Sequence, residues 1–266
     1  MPQHILIAHD LRDTADMALC RASQLASQFN ARLSVLHVLA PHTSEREQDQ
    51  ARRALDKSLS QYAPAGSQLL IRSGSKPSDV VLQQVSELRC DLLVLGGHQQ
   101  RHDLFSGTSL GRIARSCPVP LLLVARNQFE PYQRALAAID FSLCACSALG
   151  HAFELLPAQA SIHALHVFEP SKGSPKQLEA QLATQQALIA QLLEDEAQNL
   201  PEHGPTLTHS VEQGGILRAL QQHIKQHHSE LLVLGSHGRS ALSQALLGSL
   251  AQHFLHKAPC DVLVVR

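Results

Sequence analysis

The residues with the clearest chemical purpose lie in one segment, Gly235-Ser-His-Gly238-Arg-Ser-Ala-Leu-Ser-Gln-Ala-Leu-Leu-Gly248-Ser249, whose spacing is G-x2-G-x9-G-S. Glycine has no Cβ, so Gly235 and Gly238 let backbone N–H groups come close to an anionic group. Gly248 and Ser249 open a helical pattern carried by Leu247, Leu250, Phe254 and Leu255. The free amides at a helix start, and the positive end of its dipole, favour a phosphate there. His237 lies inside the loop, and Arg239 follows it, either adding charge to the site or simply solvated. Binding of a phosphate-bearing ligand is the chemistry this segment predicts.

An earlier segment has the same outline with losses. It runs Gly96-Gly97-His98-Gln99-Gln100 and on to Gly107-Thr108. Gln99 stands where the second glycine is expected, and the loop is two residues shorter. Gly107 and Thr108 still open a helix, but the phosphate cradle is incomplete.

The two loops belong to an internal repeat, which decides the architecture. Asp91-Leu-Leu-Val-Leu-Gly96 recurs as Glu230-Leu-Leu-Val-Leu-Gly235, and ARLSVLHV from Ala31 recurs as ASIHALHV from Ala160. Asp10 corresponds to Asp140, and Cys117-Pro118 to Ala258-Pro259. The matches keep their order while the offset drifts slowly, the mark of one duplicated domain with loop-length changes. The expected domains are residues 1–126 and 133–266, joined where Asn127, Gln128, Glu130 and Pro131 break the periodicity.

Within the first copy, apolar runs at 4–9, 33–38, 68–71, 92–95 and 119–124 are rich in Val, Ile and Leu with little alternation, as in strands buried on both faces. Between them lie helical patterns, such as Val81, Val85 and Leu88 behind Pro77. Ile216, Leu220 and Ile224 repeat the pattern in the second copy, where residues 174–199 read as a longer helix flanking the second site. The fold class expected is α/β: two tandem five-stranded, mostly parallel, doubly wound open sheets on a Rossmann-like nucleotide-binding frame. Such sheets bind ligands outside the carboxyl ends of their strands, where strand order reverses.

Set in this duplicated frame, the G-x2-G-x9-G-S spacing and the tail Ala258-Pro-Cys-Asp-Val-Leu-Val-Val-Arg266 resemble the ATP-binding type of universal stress protein, and the resemblance runs through both halves. It implies a cytoplasmic stress-response or regulatory protein binding ATP or a related adenine nucleotide, with or without Mg2+, and at most hydrolysing it slowly. By position, the family's aspartate after the first strand falls on Asp10 and Asp140. Its backbone contact to adenine falls on Val38 and Val167. The complete motif places the main site in the second half, at Asp140, Val167, Gly235, His237, Gly238, Arg239, Gly248 and Ser249. The weaker first-half counterparts are Asp10, Val38, Gly96, Gly107 and Thr108. Bland readings stand beside these: Asp140 as a helix N-terminal acid, Val167 as an ordinary core residue.

Other function classes find little support. The chain carries 22 Lys and Arg against 23 Asp and Glu, so it lacks the basic excess of a direct nucleic-acid partner. Its apolar runs are strand-length, well short of the roughly 20 residues of a membrane span. Residues 1–10 enter a strand pattern directly, without the features of a signal peptide. The six cysteines form no C-x-x-C pair and read as small buried hydrophobes of a reducing compartment. The 17 histidines show no H-E-x-x-H or Cys/His ligand spacing, so no metal site is expected. No Walker A run is present, and no catalytic residues are assigned. Two alternatives remain: an enzyme of the same nucleotide-binding superfamily, or a partner-binding protein that uses no nucleotide. Finally, each half ends in an apolar strand, which would lie at a sheet edge and invite pairing. The last strands are expected to meet antiparallel within the chain, as a pseudo-dimer of the two halves. A further homodimer is left open.

Overall fold

Each half alternates strands with helices, because short Val/Ile/Leu runs separated by amphipathic stretches can bury their apolar surface only in layers. The computed structural model describes residues 1–97, 109–238 and 247–266. The first half runs β1 (His4–Ala8), α1 (Asp13–Phe29), β2 (Arg32–Leu39), α2 (Glu45–Tyr62), β3 (Gln68–Ser73), α3 (Pro77–Glu87), β4 (Leu92–Gly96), α4 (Ser109–Ser116) and β5 (Leu121–Val124). The second runs β6 (Arg134–Ala138), α5 (Leu143–Leu155), β7 (Ser161–Phe168), α6 (Pro175–Ala197), β8 (Thr206–Gln213), α7 (Ile216–Gln226), β9 (Leu231–Gly235), α8 (Ser249–His256) and β10 (Asp261–Val265).

The strands form one sheet in the order β3-β2-β1-β4-β5-β10-β9-β6-β7-β8. The class is as expected, and the two five-stranded units join edge to edge into one ten-stranded sheet. All neighbours within each half are parallel. The halves join where β5 and β10 pair antiparallel, with Leu123 opposite Val262 and Leu121 opposite Val264. An edge strand presents unpaired N–H and C=O groups, and here the two terminal strands satisfy each other.

Side chains alternate between the faces. Ile5, Ile7, Leu92 and Val94 lie in the apolar layer with Leu19 of α1 and Leu149 of α5. Leu6, Leu93 and Leu95 lie in the opposite layer with Val81 of α3, Leu220 of α7 and Phe254 of α8. The duplication extends to fine detail. Asp91 accepts the amides of Gln3 and His4, at 2.7 and 2.8 Å. Glu230 likewise accepts those of Gln133 and Arg134, at 2.6 and 3.3 Å.

The long second-half insert is the 23-residue α6, started by a Ser174/Gln177 capping box. Its buried residues Ile189 and Leu193 face α5's side of the sheet. It is expected to flank the second site; among the described residues none of α6 lines the cavity described below, whose walls come from β6, α5, β9 and the starts of α7 and α8.

The join between halves is pinned from inside. Asp261, fully buried, accepts the amides of Ala125 and Arg126 at 2.8 and 2.9 Å and the Tyr132 hydroxyl at 2.6 Å. Arg21 of α1 approaches it at 3.4 Å, stacks over the Tyr132 ring, and donates to the carbonyls of Glu130 and Gln128. Three segments of chain, α1, the stretch 125–132 and β10, thus share one buried charge cluster.

Candidate functional site

In each half the strand order reverses between the first strand and the fourth, β1/β4 and β6/β9. The loops leaving such a pair diverge to opposite faces and open a crevice. Both halves have a cavity there.

The second-half cavity has a volume of about 440 Å³. Asp140, Gly235, His237, Gly238, Gly248 and Ser249 all line it, together with Ile216 at the start of α7. Residues 108 positions apart therefore converge because β6 and β9 are hydrogen-bonded neighbours. Val167 does not line this cavity; it packs, partly buried, in the apolar layer. Arg239 lies outside the described residues.

The glycines have different reasons for being glycine. A Cβ on Gly238 would run into Oδ2 of Asp140, so the loop closes onto the carboxylate. Gly238 does not have the positive φ that favours glycine; among the described residues Gly66 and Gly214 do. A Cβ on Gly235 would come within 2.9 Å of the Ala145 amide nitrogen and 3.0 Å of Cys144. Its smallness thus lets α5 sit close on β9, a packing role that the phosphate-cradle reading overlooks. Gly248 is the N-cap of α8, and its own N–H is spent on the Ser236 carbonyl at 2.7 Å. The helix start that faces the cavity is therefore offered by Ser249, whose N–H falls among the first-turn amides that lack an intrahelical acceptor.

Asp140 closes a turn of its own. Its Oδ1 accepts the Ser142 amide at 3.1 Å and the Ser142 hydroxyl at 2.6 Å, while Ser142 caps α5. Phe141 between them has φ 63°, and its counterpart Leu11 has φ 67°. Left-handed backbone at a large side chain is uncommon. Both copies hold it directly after the aspartate, at the mouth of the crevice. His237 accepts or donates at 2.9 Å to the Ser236 hydroxyl and lies 3.4 Å from the Cys144 thiol.

The first-half cavity is larger, about 580 Å³. Asp10 and Val38 line it, and Gly96 does not. Gly96 is required elsewhere: a Cβ there would press into the Thr14 carbonyl of α1, with its carbon at 2.8 Å. Gly107 and Thr108 lie outside the described residues. Sequence reasoning missed the cations of this cavity, Arg12, Lys76 and Arg112. It also passed over Gly107-Thr-Ser109-Leu-Gly111, a G-x-S-x-G spacing. Ser109 opens α4 and lines the cavity, but no histidine among the described residues hydrogen-bonds it.

Buried histidines support the crevice walls. His37 and His166 each bond a main-chain carbonyl through Nδ1 at 2.7 Å, that of His9 and of Ile139 respectively. Burial pushes the pKa of His9 below its usual value, against the opposing pull of Asp16 at 3.0 Å. These imidazoles are wall-builders: each is tied to backbone or carboxylate.

The universal stress protein family model matches the chain twice, over residues 1–125 and 131–266. The chain belongs to the universal stress protein family. A universal stress protein of Mycolicibacterium smegmatis is 24% identical over 98% of this chain and 96% of its own length. Universal stress protein E of Salmonella typhi is 26% identical over 72% of this chain and 66% of its own. The crystal structure of a universal stress protein from Archaeoglobus fulgidus, 17% identical, superposes over 99% of this chain and 98% of that one with a TM-score of 0.69. The fold is thus that of a tandem universal stress protein, and membership supports a role in the stress response. Among the described residues no helix is long and apolar enough to cross a membrane.

Proposed function

We propose that this universal stress protein binds an adenine nucleotide, ATP above all, in the crevice between β6 and β9 and acts as a regulatory module. The observation carrying this reading is the convergence of Asp140, Gly238, Gly248 and Ser249 on one cavity at the strand-order reversal. A volume of about 440 Å³ suits a small ligand. Asp140 is placed for a sugar hydroxyl, and the start of α8 for phosphate oxygens. Among the described residues no group of three or more His, Cys, Asp or Glu is arranged for a metal ion, so Mg2+ in this reading arrives on the nucleotide's phosphates. Any hydrolysis is slow, and the working output is a bound state that partners recognise. Residues 1–126 and 133–266 act as the two domains.

The test is calorimetric titration of the full chain with ATP. Gly238→Gln puts a Cβ and an amide against Asp140. Loss of one charge-assisted contact costs about 1.5–3 kcal/mol, so affinity should fall roughly tenfold or more. Gly107→Ala should change it little. Damage from the Gly107 variant alone would move the working site to the first half. Indifference to both would remove the nucleotide reading.

A further inference from the structure

Three imidazole rings meet where α7 covers the sheet. The His163 ring of β7 lies 5.5 Å from that of His223 and 5.3 Å from that of His227, centroid to centroid, and the two α7 rings are 5.2 Å apart. Their planes are nearly parallel, at 10° to 25° to one another. His223 and His227 reach the same ring because residues four apart share one side of a helix. The β7–β8 register sets Thr208 beside His163, whose Nδ1 and Nε2 bond the hydroxyls of Thr208 and Ser210 at 2.9 and 2.8 Å.

The packing has little room for added charge. His223 is only 6% exposed, and its Nε2 meets Glu212 at 2.6 Å. An ionised carboxylate can only accept, so Nε2 carries the proton of the neutral ring. Nδ1 is buried without a partner, so a further proton there would have no acceptor in the docked helix. Glu212 of β8 is the carboxylate that faces the cluster, while His209 of β8 acts against a charge on His163. Lys225 adds a cation to the last turn of α7, and Arg134 of β6 is taken up by Glu230 at 2.9 Å and by the His228 carbonyl. Burial first, then the neighbouring His223, His227 and His209, push the pKa of His163 down to about 4.

The duplicated frame supplies the contrast. With Asp91 aligned on Glu230, Gln84 falls at His223 and Leu88 at His227; with Ala31 aligned on Ala160, Ser34 falls at His163. Gln84 is as deeply buried as His223, so α3 docks in the same way with an amide, a leucine and a serine at the three places. The imidazole beside it, His4 of β1, bonds that serine. In the second half, moreover, α7 is a wall: Ile216 in its first turn lines the cavity, while Leu220 and Ile224 are its buried anchors.

We propose that the three imidazoles form a proton-operated clasp, which holds α7 on the sheet when neutral and, when protonated, releases it and opens that wall of the second-half cavity. In the released helix each ring takes up a proton near its ordinary pKa of about 6.5, whereas docked His163 does so only near about pH 4. Docking is therefore at full strength above about pH 6.5 and weakens as pH falls from there. The clasp stands whether or not the cavity holds a nucleotide.

Hydrogen–deuterium exchange of the full chain, normalised to the intrinsic exchange rate at each pH, tests it. Between about pH 7.5 and about pH 5 the open population of residues 216–226 should rise roughly 30-fold from His163 alone. Residues 77–87 of α3 should respond far less. His163→Gln should bring the α7 response down toward that of α3, and His227→Gln, a change at an exposed position, should reduce it in the same direction. Unchanged protection of β4 and β9 checks that each variant is folded. The proposal is overturned if α7 is equally protected at both pH values, if α7 and α3 loosen together, or if the folded variants keep the full response.

Discussion

Replacing Asp261 by Asn should loosen the whole molecule, because one buried carboxylate ties both halves and their linker together. Asp261 has no exposure, and Arg21 only 2%. Asn keeps an oxygen for the Ala125 and Arg126 amides but removes the charge opposite Arg21 at 3.4 Å. Breaking a buried ion pair at one end typically costs about 3–5 kcal/mol, since the surviving charge stays desolvated. Arg21 retains the Glu130 and Gln128 carbonyls, which places the expected loss near the lower end. For a chain of this size that corresponds to a fall in Tm of about 6–12 °C. Burial and the Asp261 charge hold the Tyr132 hydroxyl protonated, well above the ordinary tyrosine pKa, so it serves as a donor at any working pH. Tyr132→Phe should therefore cost less, about 1.5–3 kcal/mol for one hydrogen bond to a charged acceptor. Urea unfolding of the two single variants and of Arg21→Met/Asp261→Asn, which keeps the oxygen for the two amides, checks this. The double variant should be more stable than Asp261→Asn, because it leaves no unpaired charge inside. An Asp261→Asn protein within about 1 kcal/mol of the parent would show that the cluster does not hold the halves together.

Three further outcomes follow from the same structure. Gly96→Ala should destabilise by about 1–3 kcal/mol, since its Cβ meets the Thr14 backbone, which cannot swing aside as a side chain can. Gly235→Ala, with its nearest backbone contacts at 2.9 and 3.0 Å, should cost less, and a larger loss in urea midpoint for Gly235→Ala would contradict this. Stability should also fall on acidification. Burial, with His223 and His227 beside it, pushes the pKa of His163 down to about 4, and burial lowers His4 and His9 as well. The unfolded chain then takes up protons from about pH 6.5 downward while the folded chain takes them up only later. The stability present above pH 6.5 is lost between there and about pH 4, and His163→Gln should flatten that slope in a pH series of urea midpoints.

The alternation of apolar runs and amphipathic stretches made the α/β class legible, because strands buried on both faces leave a continuous Val/Ile/Leu signature. The ordered matches between halves made the duplication legible too. Gly238, Gly248 and Ser249 were readable together through their spacing, and Asp140 only through the resemblance to the family. Val167 was not readable in the same way: its strand pattern matches that of Val38, but only packing decides which valine borders a cavity. The reason for Gly235 and Gly96 was hidden for a similar cause, since the helix that crowds each of them lies far away in sequence. Lys76, Arg112 and His37, which line the first-half cavity together, come from separate elements, and no linear pattern links them.

The sequence by itself determined the class of fold and the duplicated frame, because these depend on local propensity and on residue type at fixed spacing. The edge-to-edge pairing of the last strands was foreseeable, but tertiary structure alone decided its register, which depends on two edges separated by about half the chain. It alone decided that Asp261 and Arg21 share one buried cluster. It alone made the two crevices unlike, with Phe141 and Phe168 over one histidine and open space beside the other. Burial and long-range proximity are properties of the packed chain, and neighbouring residues in the sequence carry no record of them.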